Sequence, residues 1–139
     1  MRVLIDTCVM MDALQNREPF AENAHALLLA VAGGQVMGYV TAKEMTDIYY
    51  LAHRCTHDQA AAKTLMGRLG MLVDILDTTG GDIRHALASD LSDFEDAVMV
   101  ETAIREEMDC IITRNIHDYS KARLPVYSPH DFLKMINNE

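Results

Sequence analysis

The sequence predicts an α/β sandwich built on a largely parallel sheet, because short apolar strands alternate with helical segments along its whole length. Val3-Leu4-Ile5 and Cys110-Ile111-Ile112 are continuous apolar runs, the form taken by a strand buried on both faces. The 139 residues are 50% apolar and 24% charged, which fits a packed globule and excludes a disordered chain. No repeat, low-complexity tract or linker divides them. Residues 1–139 are therefore expected to form a single domain, long enough to bury about 68% of the unfolded surface.

Each element has a local reason. Val3 to Ile5 is the first strand and ends at Asp6. From Pro19 to Ala32 a helix is expected, with Phe20, Ala24, Leu27 and Leu28 at helical spacing and Gly33-Gly34 as its stop. Val36 to Val40 reads as the second strand. Thr41 caps a helix that carries Met45, Ile48, Tyr49 and Ala52 on one side. His57-Asp58 begins the next helix, running to about Leu69, and Met71 to Leu76 reads as the third strand. After the Thr78-Thr79-Gly80-Gly81 turn, helices are expected over Asp82 to Ala88 and Asp93 to Glu107. Cys110 to Ile112 is the fourth strand and Val126-Tyr127 the fifth. Ser128-Pro129, an N-cap followed by proline at the first helical position, opens the last helix.

Composition excludes several classes. The longest apolar run, Ala26 to Ala32, is far short of the roughly 20 residues that span a bilayer. Asp6 interrupts the N-terminal apolar stretch at once, unlike a signal peptide. Three cysteines, Cys8, Cys55 and Cys110, are an odd number without metal-like spacing, so a disulfide framework is not expected. The expected compartment is the cytoplasm. The net charge of -9 argues against nucleic-acid binding by bulk electrostatics. Either the acids solvate the surface, or some of them gather to hold metal.

Position favours gathering. In an open parallel sheet, ligands bind outside the carboxyl ends of the strands. Asp6-Thr7 follows the first strand, Thr41 and Glu44 the second, and Thr113-Arg114-Asn115 with Asp118 the fourth. At about 100° per residue, Glu44 shares the inward face of its helix with Ile48 and Leu51. Ala97, Val100 and Ile104 mark the buried side of a later helix, with Asp93 inside that arc and Asp96 on its margin. An inward carboxylate must be protonated, paired or bound to a cation. Few lysines or arginines lie close in sequence, so a metal is the economical answer.

Structural readings compete at each position. Asp6 can cap a turn, Glu44 can answer the helix dipole, and Asp118 can form an Asx-turn before Tyr119. Ser92 with Glu95 forms the capping-box pattern, which accounts for Glu95, and Asp93 can assist the same helix start. Asp12 caps the following segment or faces solvent. Asp96 has no comparable structural role. Oxygen donors without convergent His or Cys favour magnesium or manganese over zinc. His53 and His57 are unlikely partners, the second starting a new helix, and Cys8 reads as a small buried apolar residue. The methionines are core fillers, and Gly80-Gly81 lacks any phosphate-loop pattern.

Val3-Leu4-Ile5-Asp6-Thr7, Thr41-Ala42-Lys43-Glu44, Asp93-Phe94-Glu95-Asp96-Ala97 and Ile112-Thr113-Arg114-Asn115-Ile116-His117-Asp118-Tyr119, taken in order, resemble the PIN-domain family. The resemblance covers essentially the whole chain. It implies a three-layer α/β/α sandwich around a parallel sheet of about five strands. It also implies a metal-dependent ribonuclease, often the VapC-type toxin of a toxin–antitoxin pair. Carried over by position, the catalytic and metal-binding acids are Asp6, Glu44, Asp96 and Asp118, with Asp93 auxiliary. Thr113 would support the site through its hydroxyl or a water, and Asn115 would shape the loop that presents Asp118. Cys8 departs from the Asn or Ser that many members carry there, which puts a local hydrogen bond in question.

Phosphodiester hydrolysis needs a nucleophile and stabilisation of charge on both phosphorus and leaving group, which two divalent ions about 4 Å apart can supply. The expectation is one or two Mg²⁺ or Mn²⁺ ions on those four acids. Arg114 is the candidate contact to a substrate phosphate, against a solvated loop arginine. Family resemblance further implies 5′-phosphate products, a homodimer and an antitoxin partner. That partner would place a basic segment near the acids and the rest in a groove built from Met45, Tyr49 and Tyr50. The alternatives are a non-catalytic PIN-fold binding module, or a PIN nuclease that processes RNA without an antitoxin. A response-regulator receiver would need a lysine beyond a late strand, where residues 124–129 supply none. A haloacid dehalogenase phosphatase would need a second aspartate after Asp6-Thr7.

Overall fold

Strand β1 (Arg2–Ile5) lies at the centre of a five-stranded parallel sheet in a computed structural model that describes residues 1–138. It pairs on one side with β2 (Met37–Thr41), which pairs with the edge strand β3 (Asp74–Leu76). On the other side it pairs with β4 (Cys110–Ile112), which pairs with the opposite edge, β5 (Val126–Tyr127). The order is therefore β3-β2-β1-β4-β5. Leu4 stands beside Tyr39 on one flank and Ile111 on the other, so the central register is set by three apolar runs.

The crossovers explain the layers. Helices α1 (Thr7–Leu14) and α2 (Ala21–Ala32) join β1 to β2, and α3 (Ala42–Thr56) and α4 (Gln59–Leu72) join β2 to β3. The chain then returns through α5 (Gly80–Leu87) and α6 (Phe94–Arg105) to β4. Right-handed crossovers running outward and then back place these two groups on opposite faces. Alternating side chains follow suit. Val3, Ile5, Val40, Cys110 and Ile112 join Met10, Leu27, Ile48 and Leu69, together with Phe132 of the last helix α7 (Pro129–Asn137). Leu4, Tyr39 and Ile111 point the other way, into Met99, Val100 and Ala103 of α6. Each fully buried Leu or Ile of these layers contributes about 1.5–3 kcal/mol.

Strand order reverses at β1, so the carboxyl ends of β1 and β4 open a crevice between diverging connections. Close packing over β2 depends on one glycine. A Cβ at Gly38 would lie 2.9 and 3.0 Å from the two Val31 methyl carbons and 3.3 Å from Val73, so glycine lets α2 settle onto the strand.

Several local expectations need correction. The sequence reading has no helix between β1 and Pro19, yet Thr7–Leu14 is helical and starts directly on Asp6. Asp12, expected as a cap or in solvent, is 1% exposed inside α1. The third strand starts at Asp74, because α4 continues through Met71 and Leu72 before Val73 turns extended. His57 does not open α4: in left-handed backbone (φ 53°) it ends α3, and Asp58 caps α4 through the Ala60 and Ala61 amides. Helix α5 begins at Gly80, capped by Thr79, rather than at Asp82. Asp93, not Ser92, caps α6, its carboxylate accepting the Asp96 amide, so the capping box read from Ser92 and Glu95 does not form. No described helix is long and apolar enough to cross a membrane.

Candidate functional site

Asp6 is the first residue past β1 and the N-cap of α1. Its Oδ1 accepts the Thr7 amide at 2.8 Å. Its Oδ2 accepts the Thr113 hydroxyl at 2.7 Å and the Cys8 thiol at 3.4 Å. Thr113, completely buried at the end of β4, in turn accepts the Asn115 amide at 3.0 Å, which turns its own proton toward Asp6. Cys8 thus supplies the hydrogen bond that its departure from the family pattern put in question. Burial and the nearby Asp6 push its thiol up to about 11, keeping it protonated and able to donate.

Glu44 stands in the first turn of α3 and is 2% exposed. It forms a capping box with Thr41: Oε1 accepts the Thr41 amide at 2.9 Å, and the Glu44 amide donates to the Thr41 hydroxyl at 3.0 Å. Its Oε2 accepts the Thr7 hydroxyl at 3.3 Å, so α1 and α3 meet through these two side chains. The structural role and the inward placement therefore coexist. Burial first, and repulsion from Asp6 second, raise the Glu44 carboxyl well above its usual range. Burial likewise raises Asp6, outweighing its three donors.

Asp96 accepts the Tyr119 hydroxyl at 3.0 Å from the 3₁₀ turn Ile116–Tyr119 that follows β4. Burial pushes its carboxyl up to about 6, with the charges of Asp93, Asp6 and Asp118 adding to the rise. Asp6, Glu44 and Asp96 line one open cavity of about 330 Å³, together with Thr7, Lys43, Asp47, Tyr50, Leu51, Glu95 and Met99. Asp118 is exposed on the 3₁₀ turn and lines a separate pocket of about 130 Å³ with Asp90, Ser92, His117 and Lys121. It does not line the acid cavity, although its charge acts on Asp96. Asp93 is exposed and serves as the α6 cap, and Asn115 acts through its backbone, accepting the Asp118 amide at 3.0 Å. Among the described residues, no three Asp, Glu, His or Cys side chains stand in metal-holding geometry.

The buried and half-buried acids divide into two groups. Asp12 takes two bonds from Arg114, at 2.8 and 3.2 Å; Asp82 takes two from Arg105, at 2.9 and 3.0 Å; Glu101 takes one from Arg123 at 2.7 Å. Asp6, Glu44 and Asp96 form no ion pair among the described residues. Arg114, expected at a substrate phosphate, instead tethers the post-β4 loop to α1 and lies 4.3 Å from the Phe20 ring centre.

Sequence reasoning passed over Thr7, the donor role of Tyr119, and the Lys43–Glu95 ion pair at the cavity rim. Tyr119 was reachable from its place beside Asp118. Lys43 was not, since nothing local says which acids it meets. The expected groove of Met45, Tyr49 and Tyr50 does not form as one face: Met45 packs against the core, whereas Tyr50 is 67% exposed at the acid cavity.

A PIN domain family model matches residues 2–117. No curated protein matches the sequence significantly. The fold is similar to the VapBC-1 structure from nontypeable Haemophilus influenzae (TM-score 0.68, 12% identity), with 94% of this chain and 99% of that one covered. It is also similar to FitAcB from Neisseria gonorrhoeae (TM-score 0.66, 20% identity, 92% and 98% covered). A third similar structure is VapC20 from Mycobacterium tuberculosis, a sarcin–ricin loop cleaving toxin (TM-score 0.66, 14% identity, 88% and 95% covered). The family match spans most of the chain and the sheet has the same architecture, so this protein belongs to the PIN-domain family.

Proposed function

We propose that this chain is a divalent-metal-dependent endoribonuclease that hydrolyses RNA phosphodiester bonds, acting as the toxin of a toxin–antitoxin pair. The observation that carries this reading is the division among buried and half-buried acids. Three have arginine partners that tie helices to a neighbouring helix or loop, whereas Asp6, Glu44 and Asp96 share a cavity at the sheet's switch point without an ion-pair partner. Burial raises all three carboxyls, and the charge of Asp6 adds to the rise at Glu44 and Asp96. Such placement is costly unless a cation answers it.

The donor set suits a hard ion. All four candidate ligands, Asp6, Glu44, Asp96 and Asp118, offer carboxylate oxygens, the preference of Mg²⁺ or Mn²⁺. A bound ion supplies Lewis-acid stabilisation of charge on the phosphoryl group and activates water for attack. The chain's own residues orient the ligands. Thr113, Cys8 and the Thr7 amide fix Asp6; the Thr41 amide and Thr7 hydroxyl fix Glu44; Tyr119 fixes Asp96. One similar structure is a toxin–antitoxin complex from Klebsiella pneumoniae, which supports an antitoxin partner for this chain, and an acid cavity is receptive to its Arg or Lys side chains.

Cleavage of total RNA with added Mn²⁺, with EDTA, and by Asp96→Asn tests the reading. The variant is expected to keep its fold and lose about a hundredfold or more in rate, and EDTA to abolish cleavage. Full activity in the variant or in EDTA refutes the assignment. A wild-type protein that binds RNA or an antitoxin without cutting would instead be a binding module.

A further inference from the structure

We propose that Lys43 and Tyr50 form the substrate-binding rim of the acid cavity, Lys43 taking a backbone phosphate and Tyr50 stacking the base of an unpaired nucleotide. This rests on the ribonuclease reading and names the substrate class of its site.

Lys43 is the one basic side chain among the residues lining a cavity that also holds Asp6, Glu44, Asp47, Glu95 and Asp96. A polyanion entering such a cavity needs a cation at the mouth as well as at the floor. The backbone places it there. Its amide donates to the Thr78 hydroxyl at 3.3 Å, and Glu44, the next residue, turns to the floor while Lys43 stays at the rim. Its ammonium lies 2.6 Å from Asp47 and 3.2 Å from Glu95. Asp47 is one turn along the same helix and keeps the ammonium over the cavity. Glu95 reaches across from α6 and is 72% exposed, so that pair is weak and screened, and readily exchanged for a phosphate.

Lys43, Asp47 and Tyr50 follow the i, i+4, i+7 spacing of one helix stripe. An exposed tyrosine by itself needs no explanation. Tyr50, however, stands at the lip of this cavity and is braced from behind. Its ring meets Tyr49 edge-on at 6.0 Å, and Tyr49 stacks on His53 at 6.0 Å with 13° between the rings. A supported, solvent-facing ring beside a phosphate-binding cation is the arrangement that holds unpaired bases. Paired bases keep their faces within the helix stack and cannot use it. The rim therefore selects unpaired over duplex RNA, with little preference for sequence.

The test is binding of a fluorescent hairpin RNA and of a matched blunt duplex, by anisotropy in Mn²⁺, in the Asp96→Asn background. Lys43→Gln should weaken hairpin binding about tenfold and lower the slope of log affinity against log salt by about 1, with Lys43→Arg restoring most of both. Tyr50→Ala should lose about tenfold on the hairpin, while Tyr50→Phe keeps it. Lys63→Gln, on α4, serves as the control and should bind as its parent does. Hairpin binding within twofold in both Lys43→Gln and Tyr50→Ala, or equal affinity for the duplex, overturns this rim. If Asp96→Asn still abolishes cleavage in that case, the ribonuclease reading stands without it. Wild-type protein that neither binds nor cuts RNA overturns both.

Discussion

Thr113 donates its hydroxyl to Asp6 at 2.7 Å, joining the carboxyl ends of β4 and β1 where the sheet order reverses. The Asn115 amide holds the hydroxyl in that role. Thr113→Val removes the donor and leaves the amide without its acceptor, at nearly unchanged volume. Mn²⁺ affinity should fall about 10–100-fold, the usual effect of losing a partner behind a metal ligand. Stability should drop by about 1–3 kcal/mol. Calorimetric titration and urea unfolding measure the two, and Thr113→Ser should recover much of each. Unchanged Mn²⁺ affinity in the valine variant would detach Thr113 from the site.

The two groups of buried acids should respond oppositely to substitution. Asp82 takes four bonds, two from Arg105 and one each from the Thr102 hydroxyl and the Thr79 amide, so Asp82→Ala strands all four donors and should cost about 3 kcal/mol. Glu44→Gln can accept the Thr41 amide on its oxygen and donate from its nitrogen to the Thr7 oxygen, reversing that bond, while relieving repulsion from Asp6. Metal-free stability should therefore be unchanged or higher, with cleavage lost. Parallel unfolding curves decide this; a strongly destabilised Glu44→Gln would make Glu44 a structural acid like Asp82.

Stability of the metal-free protein should decline as the pH rises through the mildly acidic range. Burial raises the folded-state pKa of Asp6, Glu44 and Asp96, the last from 3.8 to about 6. A carboxyl raised on folding holds its proton longer in the folded state, so it subtracts stability once the pH passes its unfolded value. For Asp96 that loss accrues between 3.8 and about 6. Asp82 has the opposite sign: burial works against it, but Arg105, Thr79 and Thr102 lower its pKa, so its contribution is lost only as the pH falls through that depressed value. Mn²⁺ takes deprotonated ligands and should remove the decline while releasing protons. Urea midpoints from about pH 4 to 8, in EDTA and in Mn²⁺, test the decline and its removal by metal. A metal-free midpoint climbing steadily over that range would contradict the raised carboxyls.

Much of the sheet was legible because its signals are local. Val3-Leu4-Ile5 and Cys110-Ile111-Ile112 are apolar at every position, as strands covered on both faces must be. Thr41 and Ser128 cap as expected, since a cap needs only residues within one turn. Helix α1 is not legible because it is only eight residues long, is capped by the first residue past β1, and carries no acid in its first turn and no base in its last. Met71 and Leu72 were taken into β3 because short apolar runs read equally as the end of a helix or the start of a strand. Ser92 and Asp93 are adjacent caps of similar quality, so spacing alone does not tell which is used; the helix starts after Asp93, whose carboxylate accepts the Asp96 amide.

By itself the sequence determined the alternation of elements and which acids follow a strand, since both depend on spacing along the chain. Tertiary structure alone decided which carboxylates receive a counter-ion. Asp12 meets Arg114 at a separation of 102 residues and Asp82 meets Arg105 at 23, while Asp6, Glu44 and Asp96 line one cavity without an ion pair. Charge type is written in each residue, but the energy of a charge depends on the groups within a few ångströms and on the water excluded around it. Folding fixes both.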